Sequence, residues 1–279
     1  MGLVKTPEEI ARIEQVMSHP RFVNSEMLFV DFLTDPETVA HVLPPPLEPT
    51  DTPRVSAMIG RWQSNCVGDY CGGAIYVAAR HEGVEGDYVL AMYMDADPAI
   101  VFGRDLFGEP KKRAGSQLYR SGSRFRAWVE RGGVRLMDLQ AELPDELGRS
   151  EGEGVNFNFK ARPAVSGSGL EEDAILTLAT FHTTVHASRS GTGTVTLGAT
   201  VHDPLDELRV VSLLGARFVE CDIAAESRAV TTVPAERRPR RPPPRLRPPP
   251  PHRRGSATRC RRAARAPRTR SWSCARARA

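Results

Sequence analysis

From Arg54 onward the chain is a succession of short runs rich in β-branched and aromatic residues, and that succession limits its fold more than any other feature. The runs are Val55–Trp62, Ala74–Ala79, Tyr88–Met94, Phe125–Val129, Val134–Leu139, Ile175–His182 and Thr194–Thr200, with Met27–Phe32 ahead of them. Each has the length and make-up of a strand. Gly132-Gly133 separates two of them, and Ser190-Gly191-Thr192-Gly193 reads as a hairpin turn between two others. Glycine, proline, serine and acidic residues break the pattern between Glu142 and Gly169, which predicts a long surface excursion. Asp206–Phe218 is expected to close the domain as an apolar helix or strand.

Helical text is scarce. Residues 7–17 have Thr6 as a cap, Pro7 at the first helical position and early glutamates, and Ile10, Ile13 and Met17 fall on one face. That face is expected to pack on the body or on another subunit. Glu37–Val42 reads as a second short helix, stopped by Pro44-Pro45-Pro46. This inventory predicts an α+β domain, mostly β, with a large antiparallel sheet closed into a β-barrel and a few peripheral helices.

The most informative stretch is Gly86–Ala114, GDYVLAMYMDADPAIVFGRDLFGEPKKRA. An apolar strand from Asp87 to Met94 leads through Asp95-Ala96-Asp97-Pro98 into helical spacing over Ala99–Phe107. Gly108 ends the helix and Glu109-Pro110 forces a turn, because proline lacks an N–H and biases its predecessor away from helical geometry. Lys111 and Lys112 therefore follow a rigid turn beside an apolar strand. A bare lysine pair is ordinarily solvated surface.

The motifs around this pair resemble the acetoacetate decarboxylase family. They are Gly86-Asp87-Tyr88, the turn from Asp95 to Ile100, Gly103-Arg104-Asp105 and Pro110-Lys111-Lys112. Weaker similarity runs through Val42–Glu48 and His202–Leu208, so that it spans most of residues 20–230. The resemblance implies a closed barrel and Schiff-base catalysis, with Lys111 as the amine that attacks a substrate ketone and Lys112 as its neighbour. The attacking amine must be unprotonated, whereas an ordinary lysine has a pKa near about 10.4. Burial in an apolar pocket disfavours the ammonium, and a nearby cation disfavours it further. Successive residues of an extended segment point to opposite faces, so Lys112 need not share the Lys111 pocket, and desolvation is the preferred cause.

Against the family pattern, a pocket arginine falls near Ser25, a glutamate near Ala57 and a second glutamate at Gly72, after Tyr70. If these hold, the residues that handle acetoacetate are replaced while the amine is kept. Glu109 stands where the family usually has an aromatic or apolar residue. It is a candidate general acid or base two positions from Lys111. The competing readings are a solvated turn residue or an ion pair with Arg104 or Arg113. A carboxylate touching Lys111 would oppose its activation, so Glu109 is expected to help only from several ångströms away.

Charge divides the chain at Pro234. Of 38 basic and 34 acidic residues, sixteen arginines and one acid lie in 234–279, which leaves 22 basic and 33 acidic residues, a net charge of −11, in 1–233. The expected division is a domain over 1–233 and a disordered Arg/Pro-rich tail over 234–279. That tail reads either as an arm for nucleic acid or another anionic surface or, preferably, as the product of an altered reading frame in a GC-rich gene. No leading apolar segment or membrane-length run is present, which makes the cytoplasm the expected compartment. The partners expected are a small-molecule keto acid and further copies of the chain, with nucleic acid engaged only through the tail.

The remaining candidates are weaker. Cys66, Cys71, Cys221, Cys260 and Cys274 form no disulfide framework, and Cys66 and Cys71 read as small buried residues, Cys71 beside the pocket. His182 and His186 stand four apart, but Thr183-Thr184-Val185 between them favours a strand over a metal-binding helix. No metal or cofactor is expected. The function expected is a carbon–carbon lyase that decarboxylates a β-keto acid through an iminium on Lys111. Its alternatives are aldolase or dehydratase chemistry by the same lysine, or a non-catalytic ligand-binding barrel.

Overall fold

A computed structural model describes residues 3–234. Helix α1 (Pro7–Ser18) precedes strand β1 (Arg21–Leu33), and α2 (Pro36–Val42) precedes the short β2 (Glu48–Pro49). Three long strands follow, β3 (Arg54–Ser64), β4 (Gly68–His81) and β5 (Val84–Met94), then α3 (Asp97–Phe102) and a π-helical turn over Gly103–Phe107. The rest is strand: β6 (Lys111–Arg113), β7 (Gly115–Ser121), β8 (Arg124–Arg131), β9 (Val134–Glu146), β10 (Ser150–Lys160), β11 (Ala174–Leu197), the pair β12 (Ala199–Thr200) and β13 (Asp203–Pro204), and β14 (Ser212–Val233). Among the described residues, no helix is long and apolar enough to cross a membrane.

Seven strands close a barrel in the order β10-β5-β4-β3-β1-β14-β11, with β11 pairing back onto β10. All neighbours are antiparallel except β10 and β5, which meet in parallel at Asn156–Asp87 and Phe157–Tyr88. Gly86 permits that closure, since a Cβ there would lie 2.6 Å from the Val155 carbonyl. The sheet continues from β11 into β9, β8 and β7, a meander that lies against the outside of the barrel. There, Cγ2 of Val129 would meet a Cβ on Gly73 at 2.7 Å.

The period-2 alternation of the wall strands divides their side chains between two cores. On β3, Val55, Ala57 and Ile59 pack outward with Ala127, Val129 and Leu139 of the meander. Met58 and Trp62 face inward with Tyr70, Met92, Met94, Phe102 and Phe107. The outer core carries most of the burial, and the inner one surrounds a cavity.

Several expectations need correcting. The 190–193 glycine segment is not a hairpin turn: β11 runs unbroken from Ala174 to Leu197. Its glycines serve close packing, because a Cβ on Gly193 would lie 2.6 Å from Cβ of Ala216 and one on Gly191 would collide with the Glu142 carbonyl. The 142–169 excursion is mostly the end of β9 and the whole of β10. The closing element is a 3₁₀ turn at Leu205–Glu207 followed by strand β14. In α1 Thr6 caps the helix as expected, forming a capping box with Glu9, yet Ile10 and Ile13 stay exposed and only Met17 of that face packs against the inner core. The expectations for 234–279 concern residues that, beyond Pro234, lie outside those described.

Candidate active site

The loop between β5 and β6 builds the site. The chain leaves the barrel wall at Met94, passes through α3 and the π-helical turn, and returns as β6, which pairs in parallel with β5 as Met92–Lys111 and Tyr93–Lys112. Lys111 therefore takes the face of Met92, inside the barrel, and Lys112 takes that of Tyr93, in the outer core. Gly108 turns the chain in the left-handed region at φ 78°, and a Cβ there would meet the Lys160 backbone nitrogen at 2.5 Å. The Thr177 hydroxyl donates to the Phe107 carbonyl at 2.5 Å and ties the turn to β11. Within the loop, the Glu109 N–H donates to the Gly103 carbonyl at 3.0 Å and the Lys111 N–H to the Glu109 carbonyl at 2.8 Å.

These bonds place two opposite charges side by side. Lys111 and Glu109 are each 6% exposed. Lys111 Nζ lies 2.7 Å from Glu109 Oε2. The pair meets as an ion contact rather than an aligned hydrogen bond, and Oε2 has no hydrogen-bond partner among the described residues. Gly103 makes room for it: a Cβ there would come within 2.5 Å of Nζ and nearer still to Oε2.

The surroundings are apolar and aromatic. Lys111 Nζ is 5.9 Å from the centre of the Tyr70 ring, which stacks on Trp62 at 5.1 Å. Phe102 and Phe107 meet edge to face at 5.4 Å. The cavity of about 180 Å³ is lined by these rings with Met27, Phe29, Met58, Met92, Met94 and the polar Tyr76, Ser56, Asp87, Asn156 and Arg217. Burial, and then the Glu109 charge, push the phenols of Tyr70 and Tyr76 well above their ordinary range, so both stay protonated. Burial also raises the Asp87 carboxyl, against the pull of Arg54 at 2.7 Å.

Lys112, the neighbour in the lysine pair, lies apart from the Lys111 cavity, as the alternation of an extended segment allows. Its ammonium contacts Asp203 Oδ1 at 2.5 Å and donates to the His202 carbonyl at 2.9 Å, on the side of a separate open cleft lined by Arg113, Arg131 and His202. Asp203 also receives Tyr93 Oη at 3.0 Å and Arg131 at 3.3 Å. Burial pushes its carboxyl up, but hydrogen bonds from Lys112 and Tyr93 and the charges of Lys112 and Arg131 outweigh this and hold it below the usual carboxylate range. Lys112 thus anchors β6 and presents no charge to the cavity.

Glu109 departs from the expectations for it. It is neither solvated nor paired with Arg104 or Arg113: Arg104 donates to the Lys111 carbonyl at 3.4 Å, and Arg113 pairs with Asp97. It also touches Lys111 instead of standing several ångströms away. Ala57 faces the outer core, and its neighbours Ser56 and Met58 are the inward positions. At Gly72 the Met94 thioether fills the space a side chain would need. Ser25 is buried at a bulge of β1 and does not line the cavity. Cys66 and Cys71 are half-buried, and neither lines the cavity. His182 and His186 lie on a strand and pair with Glu153 and Asp222.

Sequence reasoning missed Arg217. It sits between buried Ala216 and Phe218, and a cation alternating with core residues is the signature of a wall strand facing a polar cavity.

The comparisons with known proteins agree with this architecture. The family model described as acetoacetate decarboxylase (ADC) matches residues 5–232. An acetoacetate decarboxylase of Chromobacterium violaceum is 31% identical over 215 residues, covering 74% of this chain and 85% of that one. One from Burkholderia cenocepacia is 28% identical over 210 residues, covering 73% and 84%. Among solved structures, the acetoacetate decarboxylase of Legionella pneumophila superposes with a TM-score of 0.70 at 23% identity over 76% of this chain and 87% of that one. The enduracididine biosynthesis enzyme MppR, complexed with pyruvate, superposes with a TM-score of 0.66 at 16% identity over 76% and 90%. With a family match across almost the whole described barrel, the chain belongs to the acetoacetate decarboxylase family of enzymes.

Proposed function

We propose that the protein is a Schiff-base lyase that decarboxylates a small β-keto acid through an iminium on Lys111. The observation that carries this reading is the buried Lys111 amine in contact with Glu109 in an aromatic cavity. Two charges held out of water pay a desolvation cost that neutralisation removes. The carboxylate contact favours the ammonium while this cost opposes it, and transfer of the proton from Lys111 Nζ to Glu109 Oε2 across 2.7 Å as substrate enters frees the amine without the help of solvent. The neutral amine adds to the substrate ketone, and Glu109 returns the proton to the carbinolamine oxygen, which leaves as water. The bond to the carboxylate carbon then breaks, its electron pair moves to the iminium nitrogen, and carbon dioxide departs. Protonation of the resulting enamine carbon and hydrolysis by water release the shortened ketone and regenerate the amine. The cavity is smaller than the roughly 300–1,000 Å³ of sites for drug-sized ligands, which favours a short substrate.

A second reading has its own support. A carboxylate beside the iminium carbon also suits proton abstraction and carbon–carbon bond formation, and an MppR structure of the same fold is complexed with the condensation product of pyruvate and imidazole 4-carboxaldehyde. Borohydride reduction with acetoacetate or pyruvate tests both against a non-catalytic barrel. The expected result is a stable adduct on Lys111, absent in Lys111→Ala. No adduct with any keto acid overturns both readings, and release of carbon dioxide without a condensed product selects the first.

A further inference from the structure

Resting on the reading of Lys111 as the amine, we propose that Arg217 anchors the substrate carboxylate and so makes the site selective for keto acids over neutral ketones. Lys111 and Arg217 are the only cations among the described residues that line the cavity. They stand on one hydrogen-bonded row. Lys111 pairs with Met92, Met92 with Ala74, Ala74 with Met58, Met58 with Phe29 and Phe29 with Arg217. Lys111 hangs from β5, and β14, which carries Arg217, lies four strands from β5 in one direction round the seven-stranded ring and three in the other. The two cations thus face each other across the barrel, with the rings and thioethers of the cavity between them.

Arg217 is held ready for an anion. Its Nη1 contacts Asp31 Oδ2 at 2.5 Å, and Asp31 is itself fixed by the Ser56 hydroxyl. The guanidinium lies 4.0 Å from the centre of the Phe29 ring, which sets its plane. A guanidinium has five N–H donors, and the bond to Asp31 takes one. The fork geometry matches a carboxylate, which a point-like ammonium does not. Each cation already has a carboxylate beside it, Glu109 at Lys111 and Asp31 at Arg217, but the guanidinium keeps N–H donors that the bond to Asp31 does not use. A keto acid that spans the cavity would place its carbonyl at Lys111 and its carboxylate at Arg217.

The test uses the full-length protein and measures borohydride adduct at Lys111 by intact mass over a range of ligand concentrations. Acetoacetate is the keto acid and acetone the ketone without a carboxylate. In Arg217→Gln, the acetoacetate concentration for half-maximal adduct is expected to rise about ten- to a hundredfold. The plateau and the acetone curve should stay unchanged. Arg217→Met keeps the apolar stem over Phe29 and should show the same split should the glutamine variant melt early. An unchanged acetoacetate curve, or equal shifts for acetoacetate and acetone, overturns the proposal. If the parent protein forms no adduct with either ligand, the Lys111 reading fails. Calorimetric binding of acetoacetate to the parent and Arg217→Gln proteins then decides Arg217 alone, equal affinity counting against it.

Discussion

At the scale of single residues, the site is two side chains and the glycine that lets them meet. Replacing Glu109 by Gln keeps its volume and removes the proton acceptor beside Lys111. The expected loss of turnover is about 10²- to 10⁴-fold, measured by carbon dioxide release, with a lowered melting temperature by calorimetry because the buried Lys111 ammonium loses its counter-charge. Retained activity would show that the proton leaves Lys111 by another route. Gly103→Ala is more severe for its size. Its Cβ would lie 2.5 Å from Nζ, so the amine must move, and borohydride trapping is expected to fall at least about tenfold. Lys111 stood out in the sequence as a candidate because a long ordered motif surrounds it, and its burial is what the structure adds. Its contact with Glu109 was not legible there, because the π-helical turn that brings Gly103, Glu109 and Lys111 together has no distinctive spacing in the sequence.

At the scale of elements, β6 is a three-residue strand that carries Lys111, and so short a strand needs an anchor. Lys112, Tyr93 and Arg131 converge on Asp203 to supply it. The Asp203 carboxyl lies below the usual range when folded, so the folded chain holds the carboxylate while the unfolded chain protonates more readily. The stabilisation is fully present above about pH 4, the ordinary range of an aspartate, and is lost as pH falls through the lower folded value. Asp203→Asn is expected to cost about 1–2 kcal/mol at pH 7, because Lys112 and Arg131 lose their counter-charge but, each about a third exposed, can turn to water. Urea unfolding should find that difference shrinking below about pH 4, and a difference independent of pH would refute the account. Strand β11 offers a separate test. Gly193→Val drives a side chain into Ala216 and Val30 and should destabilise the fold by about 1–3 kcal/mol, whereas Gly152→Ala on β10 meets open space and should change little. The same contrast explains why the 190–193 segment misled: its glycines look like a turn in sequence, but they are small because β1, β9 and β14 press on them. Alternation made β1, β3, β4 and β5 legible, while β10 and the later half of β14 were hidden by exposed polar and small residues that only the pairing of neighbouring strands makes extended.

At the scale of the whole molecule, the seven barrel strands and the meander lie within the described residues 3–234. Closure of the barrel leaves no wall strand waiting for a partner from elsewhere in the chain, since β11 already pairs with β10, β14 and β9. The charge of the chain is divided just where this architecture ends: residues 1–233 carry a net −11, and sixteen arginines follow. A barrel with that negative charge repels polyanions, whereas a run of arginines attracts them by displacing their counterions, an effect that weakens steeply with salt. Catalysis and polyanion binding should therefore separate cleanly when residues 235–279 are deleted. The shortened protein is expected to keep its melting temperature and its borohydride adduct on Lys111, and to lose retention on a heparin column that the full-length protein shows at low salt and releases as salt rises. Loss of the adduct on deletion would mean that the barrel is not the complete catalytic unit. Undiminished heparin retention by the shortened protein would place anion binding on the barrel itself, against the sign of its net charge.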